Sequence, residues 1–208
     1  MSFFSTLTSP AIPFFQDGIS TEMIYAGPRA DLAGAMADRN FFCSIRFDAS
    51  GQTIPENLFD RPSLDAAAIL IAGEDFGCGN TPEVAARALA QYGFACVIAA
   101  SFADGFAAQL AEEGVAPLVL SHEAVAFLAS DAGAGAAMTI DMDAKAVITQ
   151  YGDRISFDVA AALAAEQTAP VLRSVDLSTA APARAFMGPQ KPATSSTPRD
   201  YFLIAKSA

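Results

Sequence analysis

Between Asp65 and Phe157 apolar and polar positions fall into blocks regular enough to place elements one after another. Ala66-Ala67-Ala68-Ile69-Leu70-Ile71-Ala72 is apolar throughout, as a strand covered on both faces requires, and it runs into Gly73. Pro82 to Tyr92 has helical spacing, with Val84, Ala88 and Leu89 on one side. Thr81 is placed to cap its start, Pro82 stands at the first helical position, and Gly93 can end it. Ala95 to Ala100 is a second buried strand, so the segment predicts a right-handed, parallel strand-helix-strand unit. A helix from Phe102 to Glu113, a third strand at Pro117-Leu118-Val119-Leu120, and a helix from Glu123 to Ala129 capped by Ser121 continue the alternation.

The period then changes. Met138 to Met142 and Ala146 to Gln150 alternate every second residue around an Asp143-Ala144-Lys145 turn, and Arg154 to Phe157 follows Gly152-Asp153, which predicts an antiparallel meander. Before Leu64, Pro10, Pro13, Pro28, Pro55 and Pro62 interrupt short apolar runs, predicting short strands and loops. The best strand there is Phe41 to Phe47, followed by a turn at Asp48-Ala49-Ser50-Gly51. Asp158 to Glu166 reads as a short helix. Residues 168–198 are rich in Ala, Pro, Ser and Thr, and Tyr201 to Ala205 is apolar again, as a terminal docking strand would be. The expected organisation is one domain over residues 1–166 and an Ala/Pro/Ser-rich extension over residues 167–208.

Composition narrows the partners. A hydrophobic fraction of 52% with 17% charged residues describes a folded core. A net charge of -11 repels a phosphate backbone, so no nucleic acid is expected, while an anionic metabolite can still be held by one helix terminus or one arginine. Cys43, Cys78 and Cys96 form no C-x-x-C pair, and His122 is the only histidine; no metal site is expected, and His122 reads as a helix-start residue. The odd cysteine count and an N-terminal stretch without basic residues lead to the expectation of a cytoplasmic protein. No run approaches the roughly 20 apolar residues that span a bilayer, and no membrane partner is expected.

The sharpest local feature is Gly73-Glu74-Asp75-Phe76-Gly77-Cys78-Gly79-Asn80-Thr81-Pro82-Glu83, between the buried strand and the helix. Its glycines either make a tight turn and nothing more, or bring backbone N–H groups at Gly77, Cys78, Gly79 and Asn80 against a carboxylate or phosphate at the helix start. It is neither a dinucleotide turn nor a phosphate-binding loop of the Gly-Lys-Ser/Thr kind. Glu74 and Asp75 oppose an anion unless they point away or pair with Arg46 or Arg87. Thr81 is a helix cap or a catalytic hydroxyl, Cys78 a thiol that a helix N-terminus would activate, and Asp104 a residue that caps or lines the cleft.

Leu70 to Gly79, together with Tyr92-Gly93-Phe94 and Val97 to Asp104, closely resembles the small subunit of 3-isopropylmalate dehydratase, the counterpart of the swivelling domain of aconitase. The likeness runs from Thr6-Leu7-Thr8 through Ile19-Ser20-Thr21-Glu22-Met23-Ile24 to Phe157-Asp158. It implies an α/β fold, a swivelling β/β/α domain with mixed parallel and antiparallel sheet. It also implies a hydro-lyase small subunit of leucine biosynthesis, which closes on a di- or tricarboxylic acid held by a large subunit carrying a 4Fe-4S cluster, with no cofactor bound by this chain.

In that family the turn ends Gly-Ser-Ser-Arg-Glu-His, where a serine is the base and the arginine holds substrate carboxylate. Here Asn80, Thr81, Pro82 and Val84 stand at the two serines, the arginine and the histidine. Thr81 keeps a hydroxyl and is the implied catalytic group, while Pro82 has no donor. Ser20-Thr21-Glu22 replaces the family's Asp-Thr-Asp, and its arginine-rich C-terminal stretch is absent. Arg29 and Arg39, in the segment matching the substrate-selecting loop, are the cations that could replace the clamp. The alternative is a catalytically silent swivel-domain binding or scaffold protein, homodimeric through its apolar tail.

Overall fold

The computed structural model describes residues 3–29, 32, 37–133 and 135–159. The extension over residues 167–208, its expected terminal strand, and residues 160–166 of the expected helix lie outside the described residues.

A sheet of eight strands carries the chain: β1 (Thr6–Pro13), β2 (Ile69–Ile71), β3 (Cys96–Ala99), β4 (Ala116–Val119), β5 (Ala137–Asp141), β6 (Ala146–Ile148), β7 (Arg154–Ser156) and β8 (Asp158–Val159). Their order is β7-β6-β5-β1-β2-β3-β4-β8. β1, β2, β3 and β4 run parallel to one another, while β5, β6 and β7 form an antiparallel meander on β1, as the change of period predicts. The two blocks share one strand. β1 pairs with β5 from Thr6 to Pro10 and with β2 from Ala11 to Pro13. The ladder bond that Pro10 cannot donate is therefore lost where β1 is leaving one partner for the other, which is how proline is tolerated in a central strand.

Alternate residues of the parallel strands feed two cores. Ile12, Leu70 and Val97 face one side, with the helices α4 (Pro82–Tyr92) and α5 (Phe106–Glu112). Ala11, Ile69, Ile71, Cys96 and Ile98 face the other, under α6 (His122–Ala132). Covering both faces is why these strands read as continuous apolar runs. α4 spans the residues its periodicity predicts, and Gly93 ends it at φ 109, its N–H returning to Ala90 O at 3.1 Å. α6 begins where Ser121 Oγ accepts from Ala124 N–H at 3.3 Å.

Three local expectations are corrected. Phe41 to Phe47 is not a strand: after a first helical turn, α2 (Ala37–Asn40), Phe42 takes a left-handed φ of 44 and Cys43–Arg46 is a second, α3. Phe41 and Phe42 are both buried, and the left-handed turn at Phe42 is what sends their rings to different partners. Phe41 stacks on Tyr92 at 4.1 Å and Phe42 on Phe59 at 4.3 Å, while buried Arg46 reaches Asp60 Oδ1 at 3.0 Å. α5 begins at Phe106 rather than Phe102, because Phe102 bridges to Phe76 and Gly105 turns at φ 76. The expected helix at Asp158 opens instead as β8, antiparallel to β4.

Candidate functional site

The C-terminal ends of β1 and β2 release two segments that lie against each other. After β1 the chain enters α1 (Thr21–Ile24), whose first N–H groups are capped by Ser20 Oγ, accepting from Met23 N–H at 3.2 Å. After β2 it enters the glycine turn. Ser20 and Cys78 form a parallel bridge: Gly77 N–H donates to Ile19 O at 2.8 Å, and Thr21 N–H donates to Cys78 O at 2.7 Å. The end of the turn is tied to the same segment, with Asn80 N–H donating to Glu22 Oε1 at 3.2 Å and Thr81 N–H to Thr21 Oγ1 at 3.3 Å.

This changes what the glycines are for. Gly77, at φ 85, is buried, and a Cβ there would run into the Phe106 ring. Gly79, at φ 131, faces Thr21 Oγ1 and the Glu22 carboxylate, which a Cβ would strike. The bonded N–H groups of Gly77, Asn80 and Thr81 therefore point into their own chain, and the negative charge beside them belongs to Glu22. An open cradle of free amides is not what the turn forms.

Thr81 stands at the N-cap position of α4 with an exposed side chain that makes no capping bond, against the expectation of a cap; its φ and ψ, -126 and 52, fall outside the extended geometry that capping uses. Pro82 brings no N–H, so the first turn of α4 offers the amides of Glu83 and Val84, and the Thr81 hydroxyl is not committed to them. Arg29 arrives at the same place, its Nη1 3.2 Å from Glu83 Oε2. Arg39 does not. It donates to Gly51 O at 3.1 Å, lies over Phe47 at 5.8 Å, and borders an open cleft of about 390 Å³ with Asn40, Cys43 and Ser44. The Asp48-Ala49-Ser50-Gly51 turn lines that cleft and closes as predicted, Gly51 N–H donating to Asp48 O at 2.9 Å.

Neither Arg46 nor Arg87 neutralises the acidic start of the turn. Arg46 pairs with Asp60, and Arg87 Nη2 with Glu113 Oε1 at 2.8 Å. Instead Glu74 and Asp75 contribute backbone N–H groups, to Asp17 Oδ1 at 2.7 Å and Ser101 Oγ at 2.8 Å. Cys78 is half-buried, and burial followed by the Asp75 carboxylate pushes its thiol up, so the helix terminus does not activate it. Asp104 is exposed beyond the Phe76–Phe102 bridge, and His122 opens α6 with its ring 5.1 Å from that of Phe15.

The model of the aconitase C-terminal domain matches residues 38–123, from the aromatic cluster through the glycine turn to the start of α6. The 3-isopropylmalate dehydratase small subunit of Jannaschia sp. (strain CCS1) is 38% identical over 164 residues, covering 76% of this chain and 81% of that protein. The chain belongs to the family of 3-isopropylmalate dehydratase small subunits. The small subunit of Cereibacter sphaeroides (strain KD131) is 37% identical over the same shares. A solved 3-isopropylmalate dehydratase structure from Methanocaldococcus jannaschii, 23% identical, superposes with a TM-score of 0.54 over 74% of this chain and 81% of that one. The mixed sheet with flanking helices is thus the aconitase-like swivelling fold that the resemblance implied.

The cysteines of this family member do not suit a 4Fe-4S cluster. Cys96 is sealed inside the sheet on β3, where burial drives its thiol far up, while Cys78 lies on the glycine turn and Cys43 on α3. Among the described residues no three His, Cys, Asp or Glu side chains converge as a metal site. Also among them, no helix is long and apolar enough to cross a membrane. Thr21 and Glu22 are partners of the turn that no local sequence pattern marks. The available signal was their position, in the place of the family's Asp-Thr-Asp.

Proposed function

We propose that this chain is the small subunit of a hydro-lyase of the isopropylmalate dehydratase kind, closing on a di- or tricarboxylic acid presented by a large subunit that carries the 4Fe-4S cluster. Thr81 moves the proton, and Arg29 binds a substrate carboxylate in place of the arginine that Pro82 displaces. Asn80 and Cys78 border the substrate, while Gly77 and Gly79 act by being thin. The observation that carries this reading is the Thr81 side chain, exposed at the head of α4 and bonded to none of the amides it is positioned to cap.

Dehydration removes a proton from the carbon next to a carboxylate and a hydroxyl from its neighbour. A threonine oxygen can accept that proton only where its own negative charge is stabilised. The positive end of α4 and the uncapped amides of its first turn supply that stabilisation, and Arg29, drawn to Glu83, adds a cation within reach. Family membership over most of the chain supports the rest of the assignment.

The test is reconstitution with the large subunit encoded by the same genome, followed by hydration and isomerisation assays on malate-type and maleate-type acids. Thr81→Ala should lower kcat by about 10²-fold or more, with the two subunits still co-eluting. An unchanged kcat would remove Thr81 from the chemistry. Pro82 favours a second reading, a silent binding protein, because it lacks the donor its relatives' arginine would provide. A pair that assembles and turns over none of these acids selects that reading. A chain that forms its own dimer and ignores the large subunit selects its homodimeric form.

A further inference from the structure

At the end of the glycine turn the Asn80 amide already holds an anion, and it is the chain's own. Glu22 Oε1 accepts from Asn80 N–H at 3.2 Å, and its neighbour Thr21, fully buried, accepts from Thr81 N–H through Oγ1 at 3.3 Å. The Glu22 amide first, then that of Asn80, hold the Glu22 carboxyl below the usual carboxylate range, with the Thr21 and Ser20 hydroxyls adding to them. Gly79 completes the arrangement. At φ 131 it has no Cβ to strike Thr21 or the Glu22 carboxylate, so its bareness makes room for a resident side chain rather than for a ligand.

A second carboxylate entering this cradle would meet donors already engaged and a like charge beside them. The first turn of α4, one residue further on, differs on both counts: Thr81 leaves its amides uncapped, and the carboxylate there, Glu83, is paired with Arg29.

We propose that Glu22 is a specificity-determining residue, filling the amide cradle of the turn so that a substrate carboxylate is excluded from it and is taken by Arg29 instead. The proposal rests on the reading of Arg29 as the carboxylate ligand. This chain then grips one carboxylate of the acid, and every other carboxylate must be met by the partner.

The experiment is a titration of the full chain with malonate, followed by nuclear magnetic resonance at the backbone amides of Asn80 and Thr81 and at Arg29 Nε. In the wild type the Arg29 signal should shift saturably while both amides stay still. In Glu22→Ala the Asn80 amide, freed of its acceptor, should acquire a saturable shift, with an apparent affinity about tenfold or more above any wild-type response, while the Thr81 amide stays on Thr21 Oγ1. Glu22→Gln keeps the oxygen acceptor and drops the charge, so it covers the case in which alanine unravels the turn; malonate should shift its Asn80 amide in the same direction, more weakly. A wild-type Asn80 amide that responds together with Arg29 would overturn the proposal, as would an Asn80 amide that stays silent in Glu22→Gln while the spectrum is otherwise native. These shifts are read without turnover, so an inactive reconstituted pair defeats the functional reading alone, and a silent Arg29 defeats the assignment of the carboxylate to it.

Discussion

Arg29 Nη1 lies 3.2 Å from Glu83 Oε2, joining the segment after α1 to the first turn of α4 across 54 positions of sequence. The two side chains are 58% and 64% exposed, so the pair adds little to folding; exposed pairs contribute about 0–1 kcal/mol. Its effect is to bring a cation to a helix start that Pro82 has stripped of its own.

Replacing Arg29 should therefore separate binding from stability. Arg29→Ala is expected to leave the denaturation midpoint within about 0.5 kcal/mol of wild type. In the reconstituted pair it should raise KM by about tenfold or more, the loss of a charged hydrogen bond to carboxylate. Glu83→Gln, which releases the guanidinium from its competitor, should lower KM. Steady-state kinetics of the three proteins check this, and an unmoved KM in Arg29→Ala would return the residue to the solvated surface.

Gly77 and Gly18 both hold positive φ, 85 and 63, but only Gly77 is hemmed in. A Cβ at Gly77 would enter the Phe106 ring, whereas one at Gly18 meets nothing within 4 Å. Gly77→Ala should combine backbone strain with overpacking and cost about 2–5 kcal/mol. Gly18→Ala carries the strain alone and should cost about 1–2 kcal/mol. Urea denaturation of both variants isolates the contribution of packing, since the backbone requirement is common to them. Equal losses would mean that Phe106 yields freely.

The contrast between those glycines is also where sequence reading reaches its limit. β2, α4, β3, β4 and the meander were legible because burial on one or two faces imposes a period on the residues themselves. The glycine turn was legible as a turn, since no other residue type suits Gly77 or Gly79. What fills it was not, because Ile19, Thr21 and Glu22 approach from the segment after β1, and no local pattern encodes a partner about 60 positions away. The Phe41 to Phe47 segment failed for a related reason. Its conformation is set by Tyr92, Phe59 and Asp60, contacts that outweigh the strand preference of its aromatic residues.

Cys78 should behave as a sluggish thiol. Burial, then the Asp75 carboxylate, raise its pKa, so the nucleophilic thiolate is scarcer at neutral pH than in a free cysteine. Iodoacetamide labelling followed by peptide mass analysis should give a rate that climbs with pH through a midpoint above the ordinary thiol value, and Asp75→Asn should move that midpoint down. A midpoint below the ordinary value would show that the terminus of α4 dominates after all. Cys96, sealed in β3, should label only once the chain is unfolded.

Glu22 gives the turn a pH dependence whose sign follows from its partners. Its carboxyl is held below the usual range in the folded chain, by its own amide and then by that of Asn80, and returns to the ordinary carboxylate range when unfolded. The ionised form thus favours folding: its contribution is present above the unfolded pKa and is lost as pH falls through the folded one. Glu22→Gln removes that titration and leaves the rest. Melting temperatures of the two proteins should differ most at neutral pH, with the wild type higher, and should converge as the solution is acidified through the lowered carboxyl pKa of the folded chain. Because Glu22 is exposed, high salt should shrink the neutral-pH difference. Parallel curves, with one offset at every pH, would mean that the carboxylate contributes to the turn through its shape and not through its charge.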